Sequence, residues 1–197
     1  MKKLKLILIV CGFLLSSAVI SYDRNSIETV SESPVKTIQS AIIKLNQLTT
    51  TRTYSPQIIK FLVDQEISPL FDFEHIANEV LLASHVVLDE GEAEFFKNAL
   101  KKNIINTLLA KLAQGNRGSF DFVSARPTID GSIIVKLYAK GYSRFGLNID
   151  LSFHTNRVNK WQIYDIALGH DSLTSYYQRM VLIKVRRYGI YGMLGRI

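Results

Sequence analysis

The residues of this 197-residue chain with the chemistry to catalyse or to ligate a metal are few. Its imidazoles are His75, His85, His154 and His170, and its one thiol is Cys11. His75 and Glu79 stand four apart in a helical stretch and share a face, which makes half of a metal site. A third ligand at motif spacing is missing, so the pair reads as solvated and no metal is expected. His170, Asp171 and Ser172 have the side-chain types of a hydrolytic triad. Consecutive residues do not easily converge on one point, and a G-x-S-x-G nucleophile elbow is absent. Helix capping accounts for Asp171 and Ser172 without catalysis. Gly115-Asn116-Arg117-Gly118 reads as a helix-to-strand turn rather than a phosphate cradle, and no dinucleotide fingerprint is present. The expectation is a protein that is not an enzyme, with no catalytic residue, no metal and no cofactor.

The start of the chain says where such a protein works. Lys2, Lys3 and Lys5 precede ten apolar residues, Leu6 to Leu15, and the small residues Ser16, Ser17 and Ala18 follow. That order describes a secretory signal peptide over residues 1–21, with cleavage after Ala18 or Ser21. A membrane-spanning helix needs about 20 apolar residues, more than this run supplies. Cleavage after Ser21 leaves one domain, 22–197, with no cysteine, which removes disulfides and thiol chemistry. It also lowers the net charge from +7 to +4. Export argues against nucleic acid as a partner and favours an anionic membrane surface or an acidic protein. The densest basic stretch, Lys184, Arg186, Arg187 and Arg196, reads first as a charged helix end and second as a transient membrane or headgroup contact.

The elements that must position these residues change period midway. Ser33 and Pro34 open a helix with Val35, Ile38, Ile42, Leu45 and Leu48 at helical spacing. Pro56 opens a second, through Leu62 and on toward Ser68, and Asp72 caps a third. Asp89 and Glu92 form a capping box for the longest helix, which runs to Gly115 and is apolar around more than half its circumference. From Phe120 the period is two. Strands are expected at Phe120 to Ala125, Ile133 to Lys140, Leu147 to Phe153 and Trp161 to Leu168, with a tight turn at Asp130-Gly131. A last helix runs from Asp171 or Ser172 to Tyr188, closed by Gly189. The class is α+β: helices packed on a curved four-stranded antiparallel meander, with a C-terminal helix and an apolar cavity between the layers.

Two stretches resemble the MlaC family, soluble periplasmic proteins of the bacterial system that maintains outer-membrane lipid asymmetry. The first is Leu70-Phe71-Asp72-Phe73-Glu74-His75-Ile76-Ala77, similar to the family's P-x-F-D-F-x-x-I-A helix start. The second is Trp161-Gln162-Ile163-Tyr164-Asp165-Ile166 with Ser172-Leu173 and Tyr176-Tyr177, similar to its W-x-V-Y-D-V … S-L … Y-R ending. Departures from the pattern fall at Leu82, His85, Leu108, Gly169 and Arg179.

The resemblance implies a periplasmic carrier that holds phospholipid tails between sheet and helices. It exchanges them with an outer-membrane lipoprotein complex and an inner-membrane ABC transporter complex, with no cofactor beyond the phospholipid cargo. The physical need is plain: a sixteen-carbon tail in water costs on the order of 12 kcal/mol, so free diffusion is negligible. The residues expected to line the lipid site are Phe73, Ile76, Val80, Phe96, Leu100, Ile104 and Leu108 from the helices. Val135, Leu137, Ile149, Leu151 and Trp161 are expected from the sheet, and each of the twelve has plain core packing as its alternative role. The rival functions are a structural or adaptor protein with a filled core and a small exported hydrolase using His170 or His75.

Overall fold

The computed structural model describes residues 33–50, 56–114 and 118–197. The signal peptide expected over residues 1–21 lies outside the described residues. Helix α1 (Pro34–Thr50) and helix α2 (Pro56–Leu62) each begin on proline, where the missing N–H has no helical partner to lose. The chain after α2 winds on as a π-helix, Val63–Ile67, and then as a 3-10 turn, Ser68–Leu70. Helix α3 (Phe73–Ala83) is capped by Asp72, whose Oδ1 accepts from the His75 N–H at 2.9 Å. Helix α4 (Glu90–Gln114) starts on the expected capping box: the Glu92 N–H donates to Asp89 Oδ1 (2.8 Å) and the Asp89 N–H to Glu92 Oε2 (3.1 Å).

Strands β1 (Ser119–Pro127), β2 (Ile133–Lys140), β3 (Leu147–Thr155) and β4 (Trp161–Leu168) form an antiparallel meander. A two-residue β5 (Asp171–Ser172) pairs with Ala167 and Leu168, so the sheet has five strands where four were expected. The β1–β2 connection closes with the Gly131 N–H on Thr128 O, and Gly131 takes φ 81, a conformation that favours glycine.

Helix α5 (Leu173–Leu194) starts on Ser172, whose hydroxyl accepts from the Ser175 N–H at 3.1 Å. Capping thus belongs to Ser172, while Asp171 pairs in β5. The helix was expected to close at Gly189. Instead Gly189 breaks the helical geometry at φ 70 and ψ 178, and helix resumes beyond it to Leu194. Met193 and Leu194 are buried, and their burial draws the resumed turn back onto the body.

The architecture is α+β, as the change of period indicated. Ile76 and Val80 of α3, Phe96, Leu100 and Ile104 of α4, and Val181 of α5 are all but inaccessible and form the densest part of the core. Phe153 and Val135 continue it from the sheet. Among the described residues no helix is long and apolar enough to cross a membrane.

Phe96→Ala removes a side chain with no solvent exposure and is expected to lower unfolding stability by about 3–5 kcal/mol in urea titration. A loss below about 1 kcal/mol would mean that Phe96 is not embedded as described.

Candidate functional site

A cavity of about 390 Å³ lies between α1, the run from Val63 to Phe71 and one face of the sheet. From α1 come Ile38, Ala41 and Ile42, on one helical face by their spacing of three and four. The wide π-turn sets Val63 and Ile67 on a common side, and Leu70 and Phe71 follow them into the wall. The sheet contributes Leu137, Ala139, Leu147, Ile149 and Leu151, alternate residues that the pleat turns to one face. On β4 the alternation is interrupted. Its pairing with β3 shifts between Ser152 and Phe153, so Ile163 and Ile166 both line the cavity although they are three apart. The polar residues of the lining are Lys111, Tyr142 and Ser143.

Helix α1 is fastened to the β1 side of this space by a side-chain amide. Asn46 Nδ2 donates to Phe120 O at 2.9 Å, and the Phe120 N–H donates to Asn46 Oδ1 at 2.7 Å. Lys44 also pairs with Glu66 of the π-helix, with both side chains substantially exposed.

Tyr142 completes the wall beside Phe120, ring centroids 5.1 Å apart. Its ring lies so close to Gly118 that a Cβ there would run into it. The hydroxyl is buried with no hydrogen-bond partner among the described residues. Burial pushes the phenol up to about 12, so it holds its proton at any physiological pH.

Of the twelve residues expected at a lipid site, Leu108, Leu137, Ile149 and Leu151 line this cavity. Phe73, Ile76, Val80, Phe96, Leu100, Ile104 and Val135 are buried but do not line it, and Trp161 is half-buried against the same core. Along α4, Phe96, Leu100, Ile104 and Ile105 are buried in protein while Phe95 is exposed, and among the described residues Leu108 and Lys111 reach the cavity. Residues not singled out beforehand supply most of the wall. Ile38 and Ile42 were visible as a helical stripe, and Phe71 stood in the quoted motif two residues before Phe73. No local signal marked Ile166, because its facing depends on the irregularity in β4.

The side chains with catalytic potential lie elsewhere. His75 and His154 meet with ring centroids 4.5 Å apart, and Tyr164 packs against both, at 5.6 and 5.0 Å. His154 Nε2 is 3.0 Å from Asp72 Oδ2, which ties the start of α3 to β3. None of these residues lines the cavity. His170 is exposed, and the Ser172 hydroxyl is engaged as the cap of α5. Among the described residues no group of three His, Cys, Asp or Glu side chains is placed to hold a metal ion.

A family model, that of the MlaC protein, matches residues 35–196, almost the entire described chain. The chain belongs to the MlaC family. No curated protein matches the sequence. Among solved structures, the fold is similar to that of a phospholipid-binding protein from Ralstonia solanacearum, determined in complex with a phospholipid. The TM-score is 0.66 at 19% identity, over 82% of this chain and 92% of that one. Two of the MlaC-like motifs have visible structural tasks here. Asp72 caps α3 while its backbone N–H donates to Ile163 O at 2.9 Å, and Asp165 Oδ1 accepts from the Thr174 N–H at 3.0 Å, steadying the first turn of α5.

Tyr142→Phe is expected to raise stability by about 1 kcal/mol, since it deletes a buried hydroxyl with no partner. The folded-state pKa values of Tyr142 and Tyr177 are both raised by burial. Between the ordinary phenol value of 10.0 and about 12 the unfolded chain therefore holds fewer protons than the native one. Stability should fall as pH climbs through that window, and Tyr142→Phe should flatten the fall. Urea titrations at pH values from 9 upward measure both effects. A destabilised Tyr142→Phe protein would mean that the hydroxyl has a partner.

Proposed function

We propose that this protein is a periplasmic phospholipid carrier, holding acyl chains in the cavity beneath α1 and shuttling lipid between the outer and inner membranes. The observation that carries this reading is the cavity: about 390 Å³ walled by apolar side chains, with Lys111, Tyr142 and Ser143 as its polar lining. That volume is within the range of small-molecule sites, roughly 300–1,000 Å³. Water in such a space lacks the two to four polar partners that hold it, whereas a hydrocarbon chain needs none. The phospholipid bound by the structurally similar Ralstonia protein supports the same class of cargo.

In this reading the tails occupy the apolar wall and the headgroup stays toward the mouth and solvent. Family membership supports an inner-membrane ABC transporter complex and an outer-membrane lipoprotein complex as the partners that load and unload it. The signal-like residues 1–21 support export to the periplasm. The carrier performs no reaction and needs no cofactor. An adaptor with a filled core sits poorly with an unfilled cavity. A hydrolase acting on cavity-bound lipid sits poorly with His75 and His170 lying outside its wall.

Native mass spectrometry of gently purified protein, with extraction of any bound lipid, is expected to reveal a co-purified phospholipid. Ala41→Phe and Ile149→Phe place aromatic rings in the cavity wall. They are expected to reduce uptake of labelled phospholipid from vesicles at least tenfold. Thermal stability should change little, because the added rings fill space rather than overpack it. A protein that emerges without lipid and takes none up, or plugged variants that load as well as the parent, would end the carrier reading.

A further inference from the structure

The last segment of the chain has a charge balance unlike the rest. Residues 172–197 contain Arg179, Lys184, Arg186, Arg187 and Arg196 and not one aspartate or glutamate. The whole chain has a net charge of +7, so this segment holds most of the excess. Among the described residues none of the five cations has a carboxylate within ion-pair distance.

Apolar and aromatic side chains are exposed between these charges. Tyr191 is 81% exposed, Ile183 62%, Tyr176 53% and Tyr188 44%. Tyr176, Arg179, Ile183 and Arg186 follow one another at steps of three and four, so they descend one outer face of α5. At its lower end the break at Gly189 folds the final turn back on the helix. Lys184 Nζ then donates to Arg196 O, and the Arg196 guanidinium comes to 4.4 Å from the Tyr188 ring centroid, with Arg187 5.7 Å from the same ring. Two arginines thus bracket one tyrosine, and Tyr191 projects beside them.

We infer that this outer face of α5 and its folded-back turn form a docking surface for an anionic lipid bilayer. Guanidinium groups without a carboxylate partner find phosphate oxygens in the headgroup layer. Tyrosine and isoleucine side chains set among them have the amphipathic character of groups that settle at the membrane–water interface. An acidic protein would satisfy the charge. A protein–protein interface, however, gathers its apolar residues in a compact centre ringed by a polar rim, whereas here the exposed apolar residues are spread along the whole face with arginines between them. The surface is separate from the cavity, since none of its residues lines it. The inference therefore does not rest on what the cavity holds, although it gives a carrier a place to meet the bilayer.

The test is co-sedimentation of the purified protein with phosphatidylcholine vesicles, with and without one-third phosphatidylglycerol, across a range of salt. Binding is expected to require phosphatidylglycerol and to weaken as salt rises. A basic residue near an anionic surface is worth about fivefold in binding, so the double substitution Arg186→Gln with Arg187→Gln should weaken it about thirtyfold. Tyr191→Ser with Ile183→Ser should weaken it at constant charge. All four residues are exposed, and a cooperative melt verifies that each variant is folded. No binding to the anionic vesicles at low salt, or equal binding by parent and double-arginine variant, overturns the proposal. Retention on poly-glutamate without vesicle binding also overturns it and assigns the surface to an acidic protein. Lipid co-purified with the arginine variant is measured alongside, so a failure to dock is distinguished from an empty cavity.

Discussion

One face of the sheet presents more apolar side-chain surface than the helices cover. Leu137, Ile149 and Leu151 from neighbouring strands face the same space as Ile163 and Ile166, and among the described residues the helical side closes over them with α1 and the run from Val63 to Phe71, with the end of α4 at the margin. A void in a protein interior forfeits about 24 cal/mol per Å³. For about 390 Å³ the limit is on the order of 9 kcal/mol, comparable to the whole stability of an ordinary domain. A cavity open to solvent forfeits less than that limit, but the sign does not change. Whatever apolar group enters recovers contacts that the protein cannot make by itself.

This deficit is tolerable because the rest of the molecule is packed tightly and pinned by polar contacts. The α3–α4–α5 side holds the side chains with the least exposure, and its helix ends are satisfied by Asp72, the Asp89–Glu92 box, Asp165 and Ser172. Asp72 serves twice, as the cap of α3 and as the partner of His154 on β3. The Asp72 and Asp165 contacts also join α3 and α5 to the sheet. The sheet can then keep its register whether or not the cavity is filled.

The fold was legible because its signals are local. Pro34, Pro56, Asp72 and the Asp89–Glu92 pair mark helix starts by their own backbone chemistry, and strict alternation from Leu147 to Phe153 marks a half-buried strand. The cavity was much less legible. Burial on a helix or strand reads the same in sequence whether the neighbour is another side chain or open space, so Phe96, Leu100 and Ile104 looked as suitable as Leu108. What separates them is position along α4: Leu108 lies a turn beyond Ile104 and lines the cavity, whereas the other three are buried away from it. Phe71 and Phe73 stack with centroids 5.2 Å apart, yet only Phe71 reaches the wall, because the chain turns into α3 between them. The break at Gly189 could be seen as a helix stop, but the resumed turn depends on the burial of Met193 and Leu194, a tertiary matter.

The walls of the cavity also differ in what it costs to displace them. Moving the sheet would break ladder hydrogen bonds along its strands and disturb the core behind Val135 and Phe153. Moving α4 would unpack Phe96, Leu100 and Ile104, side chains with almost no exposure. Helix α1 packs chiefly on β1, and its polar ties include the Asn46 amide on Phe120 and the exposed Lys44–Glu66 pair. An exposed ion pair is worth about 0–1 kcal/mol, and each amide bond about 1 kcal/mol net. Of its described apolar side chains, Ile38, Ala41 and Ile42 face the cavity itself, while Pro34 is fully buried outside its wall. The described apolar face of α1 and the cavity thus share one incompletely packed space, so what those contacts contribute depends on how that space is filled.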